Sequence, residues 1–168
     1  MPNNEHPKRN EWVQTVRDIV KHASKDWALV GHSLGVPTIL RFLETLGEDE
    51  EVGTVILIAG PIEKIDEEHA EIDPFFEGGF DWQKIRSKAR HFVVIHGQDD
   101  SVVPVSQGLE CAKNLRVDPI LKEGYRHFSS DDGIAEIPFL LQQLSCTQSS
   151  WASSKELPSS SLFPRPHI

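Results

Sequence analysis

Between Glu11 and Ala23 the apolar residues Trp12, Val13, Val16, Ile19, Val20 and Ala23 recur at steps of three and four. This is the stripe of an amphipathic helix, and such a helix needs an apolar surface to lie on. A short apolar run, Trp27 to Val30, follows and breaks sharply at Gly31. Helical spacing returns through Leu34, Ile39, Leu40, Leu43 and Leu46, with Pro37 in the opening turn, where a missing N–H costs little, and Gly47 at the end. Val52 to Ala59 and Phe92 to Ile95 are β-branched runs without alternation, as expected of strands buried on both faces of a parallel sheet. Pro104 opens a helix through Val105, Leu109, Ala112 and Leu115; Ile120-Leu121 marks a weaker strand; an amphipathic segment closes the pattern from Ile134 to Leu144. Strands alternating with helices at these lengths predict right-handed βαβ units in a three-layer α/β/α sandwich with a mostly parallel sheet.

Two segments break the rhythm. Ile62 to Phe80 is acidic and carries Pro74, Phe75, Phe76 and Gly78-Gly79, so it is expected to rise above the sheet and to be placed to cover a pocket. Residues 145–168 hold eight serines and three prolines without periodicity, the composition of a disordered tail. The expected organisation is one domain over 1–144 and a tail over 145–168.

Charge then narrows the partners. Seventeen Lys and Arg stand against 26 Asp and Glu, a formal charge of −9, and no basic run supplies the footprint that nucleic acid or an anionic membrane requires. No stretch approaches 18 consecutive apolar residues, and Met1 to Asn10 contains no apolar h-region. Cys111 and Cys146 form neither a metal quartet nor a disulfide framework, and the expectation is free thiols in a cytoplasmic protein. No H-x-H or H-E-x-x-H spacing occurs, so neither a metal nor a cofactor is expected.

The chemistry concentrates in Gly31-His32-Ser33-Leu34-Gly35, a G-x-S-x-G between a predicted strand and a predicted helix. A nucleophile on so tight a turn takes strained backbone angles, and the helix that follows points its positive end at the site, with the Leu34 N–H as an oxyanion donor. Serine alone is a poor nucleophile, so a base and an orienting acid are required downstream. The loop His96 to Pro104 offers Asp99 and Asp100 at the carboxyl end of a strand, where ligands sit in open α/β sheets. Gly124 to Phe128 offers His127 after the last strand; of the eight histidines it alone holds that position. His32, beside the nucleophile, is a candidate for contact with substrate; Phe75 and Phe76, in the excursion, are read evenly as lining an apolar acyl pocket or as anchoring the loop on the domain.

These motifs resemble the α/β-hydrolase fold, specifically the small serine hydrolases of the YdeN and retinoblastoma-binding-protein-nine type. GHSLG at Ser33, the GQDDSVVP loop, the YRHF loop and Asp81-Trp82-Gln83-Lys84-Ile85 carry the resemblance, which spans roughly Met1 to Leu144. It implies Ser33 as nucleophile, Asp100 rather than Asp99 as acid and His127 as base, with Arg126 standing where the family usually has glycine. It also implies an earlier strand and an H-G-x-G-G-like loop donating a second oxyanion N–H, neither of which this sequence shows. Loss of one such donor costs about 2.7–4 kcal/mol of transition-state stabilisation where it has been removed by mutation.

The expected function is therefore a serine hydrolase cleaving a small ester, thioester or amide through an acyl-enzyme, its partner a small acyl substrate. The competing expectation is a shortened homologue that keeps the triad but is catalytically impaired, or serves as a binding module. An acyl-carrier-protein transacylase also uses GHSLG, but that fold is larger and lacks the Asp loop before the His.

Overall fold

A computed structural model describes residues 1–144. Met1–Ile137 forms one compact unit, and a second begins at Pro138. Within the first, four strands lie in the order β1 (Ala28–His32), β2 (Val52–Ile58), β3 (Ala89–Gly97), β4 (Ile120–Lys122), every neighbouring pair parallel. Helices α1 (Arg9–Val20), α2 (Gly35–Thr45), α3 (Trp82–Arg86) and α4 (Val105–Leu115) alternate with them. Parallel neighbours require crossovers, and these helices supply them.

All seven residues of β2 are buried, which explains its unbroken apolar pattern. β1 is different: it runs on through Gly31 to His32, and Ala28, Val30 and His32 are exposed while Leu29 and Gly31 are buried. Among the described residues β1 ends the sheet, so its sequence tolerates alternation that β2 could not. The core forms where α2 lies on the sheet, around Leu40, Phe42 and Leu43, each fully buried, with Val55, Leu57 and Ile85. Cys111 joins it, its thiol pushed up to about 12 by burial and so held as the unreactive protonated form. Cys146 and the expected tail lie outside the described residues.

Helix at the C-terminal end begins later than the periodicity predicts. Residues 134–137 are irregular and helix covers 139–144. Pro138 explains the shift, because it drives the preceding residue out of the α region, so the helix starts only after it. Among the described residues, no helix is long and apolar enough to cross a membrane.

The excursion after β2 contains a 3-10 helix, Glu67–Phe75, and is pinned down by a residue whose role the pattern does not reveal. Arg41, on α2, donates to the carbonyls of Phe75 (2.9 Å), Glu77 (2.9 Å) and Gly79 (2.7 Å), pairs with Glu44 (2.9 Å) and stacks 4.2 Å from the Phe80 ring centre. A guanidinium fork is suited to holding several acceptors at once. Arg41→Met should therefore loosen the excursion at a cost of about 1.5–3 kcal/mol, the scale of charge-assisted bonds. Faster hydrogen exchange between residues 66 and 80, with little change in β2, is the expected observation.

Candidate active site

All four strands point the same way, so the segments leaving their carboxyl ends gather on one edge of the sheet. Ser33 follows β1 directly, Asp100 lies in the loop after β3 and His127 in the loop after β4. The structure brings the three together: His127 Nε2 is 3.0 Å from Ser33 Oγ, and His127 Nδ1 is 2.9 Å from Asp100 Oδ2.

Local geometry explains each placement. Ser33 has φ 52°, the left-handed region that a non-glycine residue enters only at a cost. Its N–H bonds the Ile58 carbonyl at 3.0 Å and its own carbonyl accepts from the Val36 N–H at 2.9 Å, so the turn is tied to both β2 and α2. The strain sits on the serine and not on its glycines. Gly31 serves another need: a Cβ there would come 2.7 Å from the Gly35 carbonyl oxygen and 2.9 Å from Ile39, so its absence lets α2 close onto β1. Leu34, the last residue before α2, has helical angles, and its N–H makes no hydrogen bond among the described residues.

Asp100 is the acid that faces His127. Its side chain is wholly buried, and Oδ1 accepts from the Val102 and Val103 N–H groups, both at 2.9 Å. Burial is the largest single influence on this carboxyl and pushes it up; the bonds from His127, Val103 and Val102 together outweigh it and hold the group below its ordinary range. Asp99 does different work, accepting the Arg126 N–H at 3.1 Å and so tying the two loops together.

The His127 loop is held by contacts that the sequence reading did not identify. Asp132 Oδ2 accepts the N–H of His127 (3.0 Å) and the N–H and hydroxyl of Ser129 (3.3 and 2.8 Å), while the Asp132 N–H reaches back to Ser129 Oγ at 3.2 Å. This reciprocal pair is what an S-x-x-D spacing signals, and Ser129 to Asp132 carries it. Arg126 and Phe128, on either side of His127, have φ of 44° and 55°, so the loop is strained on both flanks and relies on these anchors.

His32 Nε2 donates to the His127 carbonyl at 2.6 Å, its ring 5.0 Å from the His127 ring. Much of the residue stays open to solvent, yet its desolvated ring side is enough to lower its pKa below the usual imidazole value, outweighing the opposite pull of that carbonyl. Of the two roles open to Phe75 and Phe76, the packing favours anchoring. Phe75 is fully buried edge-to-face on Trp12, with ring centres 5.9 Å apart, and Phe76 is 8% exposed in the same cluster. They anchor the excursion, because only large apolar rings offset the ordering of so polar a segment. Phe76 also borders an open cleft of about 410 Å³ with Ile62, Phe80 and Trp82, but Ser33, His32 and His127 do not line it. No group of three or more His, Cys, Asp or Glu among the described residues is arranged to hold a metal ion.

A nucleophile elbow on a parallel α/β sheet, with histidine and aspartate on the following loops, is the architecture of an α/β-hydrolase. The chain belongs to the serine hydrolase family, whose family model matches residues 1–146, and it is an enzyme of that class. It is 35% identical over 146 residues to YdeN of Bacillus subtilis (strain 168), covering 86% of this chain and 75% of that protein. The crystal structure of the ydeN gene product superposes with a TM-score of 0.84 at 33% identity, over 89% of this chain and 80% of that one. The rat serine hydrolase RBBP9 is 24% identical over 94 residues, 56% of this chain and 48% of its own length. A carboxylesterase of the thaumarchaeon Nitrososphaera gargenis shares the fold, with a TM-score of 0.64 at 14% identity over 89% of this chain and 76% of that one.

The Asp100 arrangement has a consequence for stability. A carboxyl depressed by folding contributes stability that is present above its unfolded value of about 3.9 and is lost as pH falls through the lower folded value. The melting-temperature gap between the wild type and Asp100→Asn is expected to be widest near pH 6 and to narrow steadily towards pH 3.

Proposed function

We propose that the protein hydrolyses a small ester, thioester or amide by way of an acyl-enzyme on Ser33, with His127 as general base and acid and Asp100 as the orienting acid. The observation that carries this reading is the continuous relay Ser33 Oγ, His127 Nε2, His127 Nδ1, Asp100 Oδ2, with links of 3.0 and 2.9 Å. Asp100 accepts only, so His127 carries its hydrogen on Nδ1 and turns the bare Nε2 lone pair towards the serine hydroxyl.

Ser33 Oγ attacks the substrate carbonyl carbon as its proton passes to His127 Nε2. The carbonyl π pair moves onto oxygen, and the resulting oxyanion is met by the Leu34 N–H and the positive end of α2. Collapse of the tetrahedral intermediate breaks the bond to the leaving group, which takes the proton from Nε2 and departs as alcohol, thiol or amine. Water then repeats the sequence: His127 takes its proton, hydroxide adds to the acyl carbon, and Ser33 leaves with the proton returned. His32, bonded to the His127 carbonyl, and Asp132, bonded to its N–H, keep the imidazole from drifting between the two half-reactions.

A fluorophosphonate probe reports an activated serine without knowledge of the substrate. Labelling is expected on the peptide containing Ser33 and should vanish in Ser33→Ala. Asp100→Asn should slow hydrolysis of an activated aryl ester by about 10⁴, the cost of the wrong histidine tautomer in an established triad. Equal labelling of wild type and Ser33→Ala would overturn the assignment.

A further inference from the structure

A buried titratable side chain lies against the acid of the triad without belonging to the relay. His96 is next to last in β3, 1% exposed, with Nε2 3.0 Å from the Val103 carbonyl oxygen and 3.4 Å from Asp100 Oδ2. Its Nδ1 is buried without a hydrogen-bond partner. The far side of the ring is closed by α4, where a Cβ on Gly108 would come 2.4 Å from Nδ1. A carbonyl only accepts, so the hydrogen sits on Nε2 and Nδ1 is left as a lone pair.

A buried polar atom with no partner is unfavourable, and an aliphatic side chain at the end of β3 would avoid it. What the imidazole adds is a single N–H aimed between Val103 and Asp100. Resting on the triad reading, we propose that His96 is a positioning residue for the Asp100 carboxylate. It grips the Val103 carbonyl, and the N–H of the same residue grips Asp100 Oδ1 at 2.9 Å, so the turn that carries the acid is closed from both ends. It also sets a donor hydrogen beside Oδ2, on which His127 Nδ1 depends, and discourages the carboxylate from rotating away. The other charged or titratable groups around this assembly are His32 and Asp132, both placed against His127, and Asp99, which is bonded to the Arg126 N–H.

The test separates positioning from simple core packing. In His96→Gln the side-chain amide nitrogen reaches the place of ring Nε2 and keeps the donor; in His96→Leu the volume is roughly kept and the donor is gone. Three quantities are measured on the full chain: the rate of fluorophosphonate labelling, the melting temperature, and the far-downfield proton resonance of the His127 Nδ1–H. His96→Leu is expected to label roughly 10- to 10²-fold more slowly, the scale of a small misplacement of a catalytic group, and to lose the downfield resonance. His96→Gln should recover most of the rate and the resonance even where its melting temperature is no higher than that of His96→Leu. Should the leucine variant fail to fold, His96→Asn replaces it, since its amide reaches only the Nδ1 position.

Wild-type labelling rates in His96→Leu, or rates in both variants that follow melting temperature alone, would overturn the proposal and leave the triad intact. An unlabelled wild type, or labelling that survives Ser33→Ala, would overturn the triad reading and this inference with it.

Discussion

A strand that runs straight into a helix must turn within one or two residues, and in this chain a serine rather than a glycine takes the left-handed conformation that the turn demands. Holding a non-glycine residue there costs on the order of 1–3 kcal/mol, so the fold has to impose it. Five registered pairs between β1 and β2, the bond from the Ser33 N–H to Ile58 and the burial of α2 from Val36 to Leu40 do so. The strain has a direct geometric result: it lifts the Ser33 side chain off the sheet at the amino end of α2, towards the loops that hold the other two groups.

The rest of the site follows from parallel pairing. β3 and β4 end beside β1 and β2, through the register Ile58 with Ile95 and Ile95 with Ile120, so the loops bearing Asp100 and His127 meet above the same edge. Both loops carry buried apolar residues, Val103 and Phe128, and both are also tied by hydrogen bonds. Asp99 and Asp132 accept backbone N–H groups from the His127 loop, and His96 closes the Asp100 loop through Val103. Part of the acidic excess of the sequence is thus spent on fixing main chain around the site.

The excursion after β2 shows how a polar segment is ordered. Trp12, Phe75 and Phe76 form a small second core that reaches the elbow through Leu34, while Arg41 takes up the carbonyl of Phe75, at the end of the 3-10 helix, and those of Glu77 and Gly79 in the turn after it. The sequence leaves these aromatic residues open to pocket lining or to anchoring, and their burial against Trp12 serves the anchoring. Their burial is what keeps so acidic a segment against the domain.

Much of this was legible in the sequence because it is local. Non-alternating runs specify β2 and β3, three-and-four spacing specifies α1, α2 and α4, and glycines around a serine between a strand and a helix specify the elbow; each signal lies within about a dozen residues. The order of serine, acid and histidine, each after a strand, was legible for the same reason. Asp99 and Asp100 were indistinguishable on chemistry alone, since both are carboxylates in one loop, and only the resemblance of the motif favoured Asp100. Tertiary structure decided which of them faces His127, because that depends on how a loop 27 residues away passes over it. It likewise decided that His32 serves the His127 carbonyl, 95 positions on, and that Arg41 serves Phe75, 34 positions on. A hydrogen bond across such distances leaves no period in the chain; its partners are chosen by the sheet that brings them together.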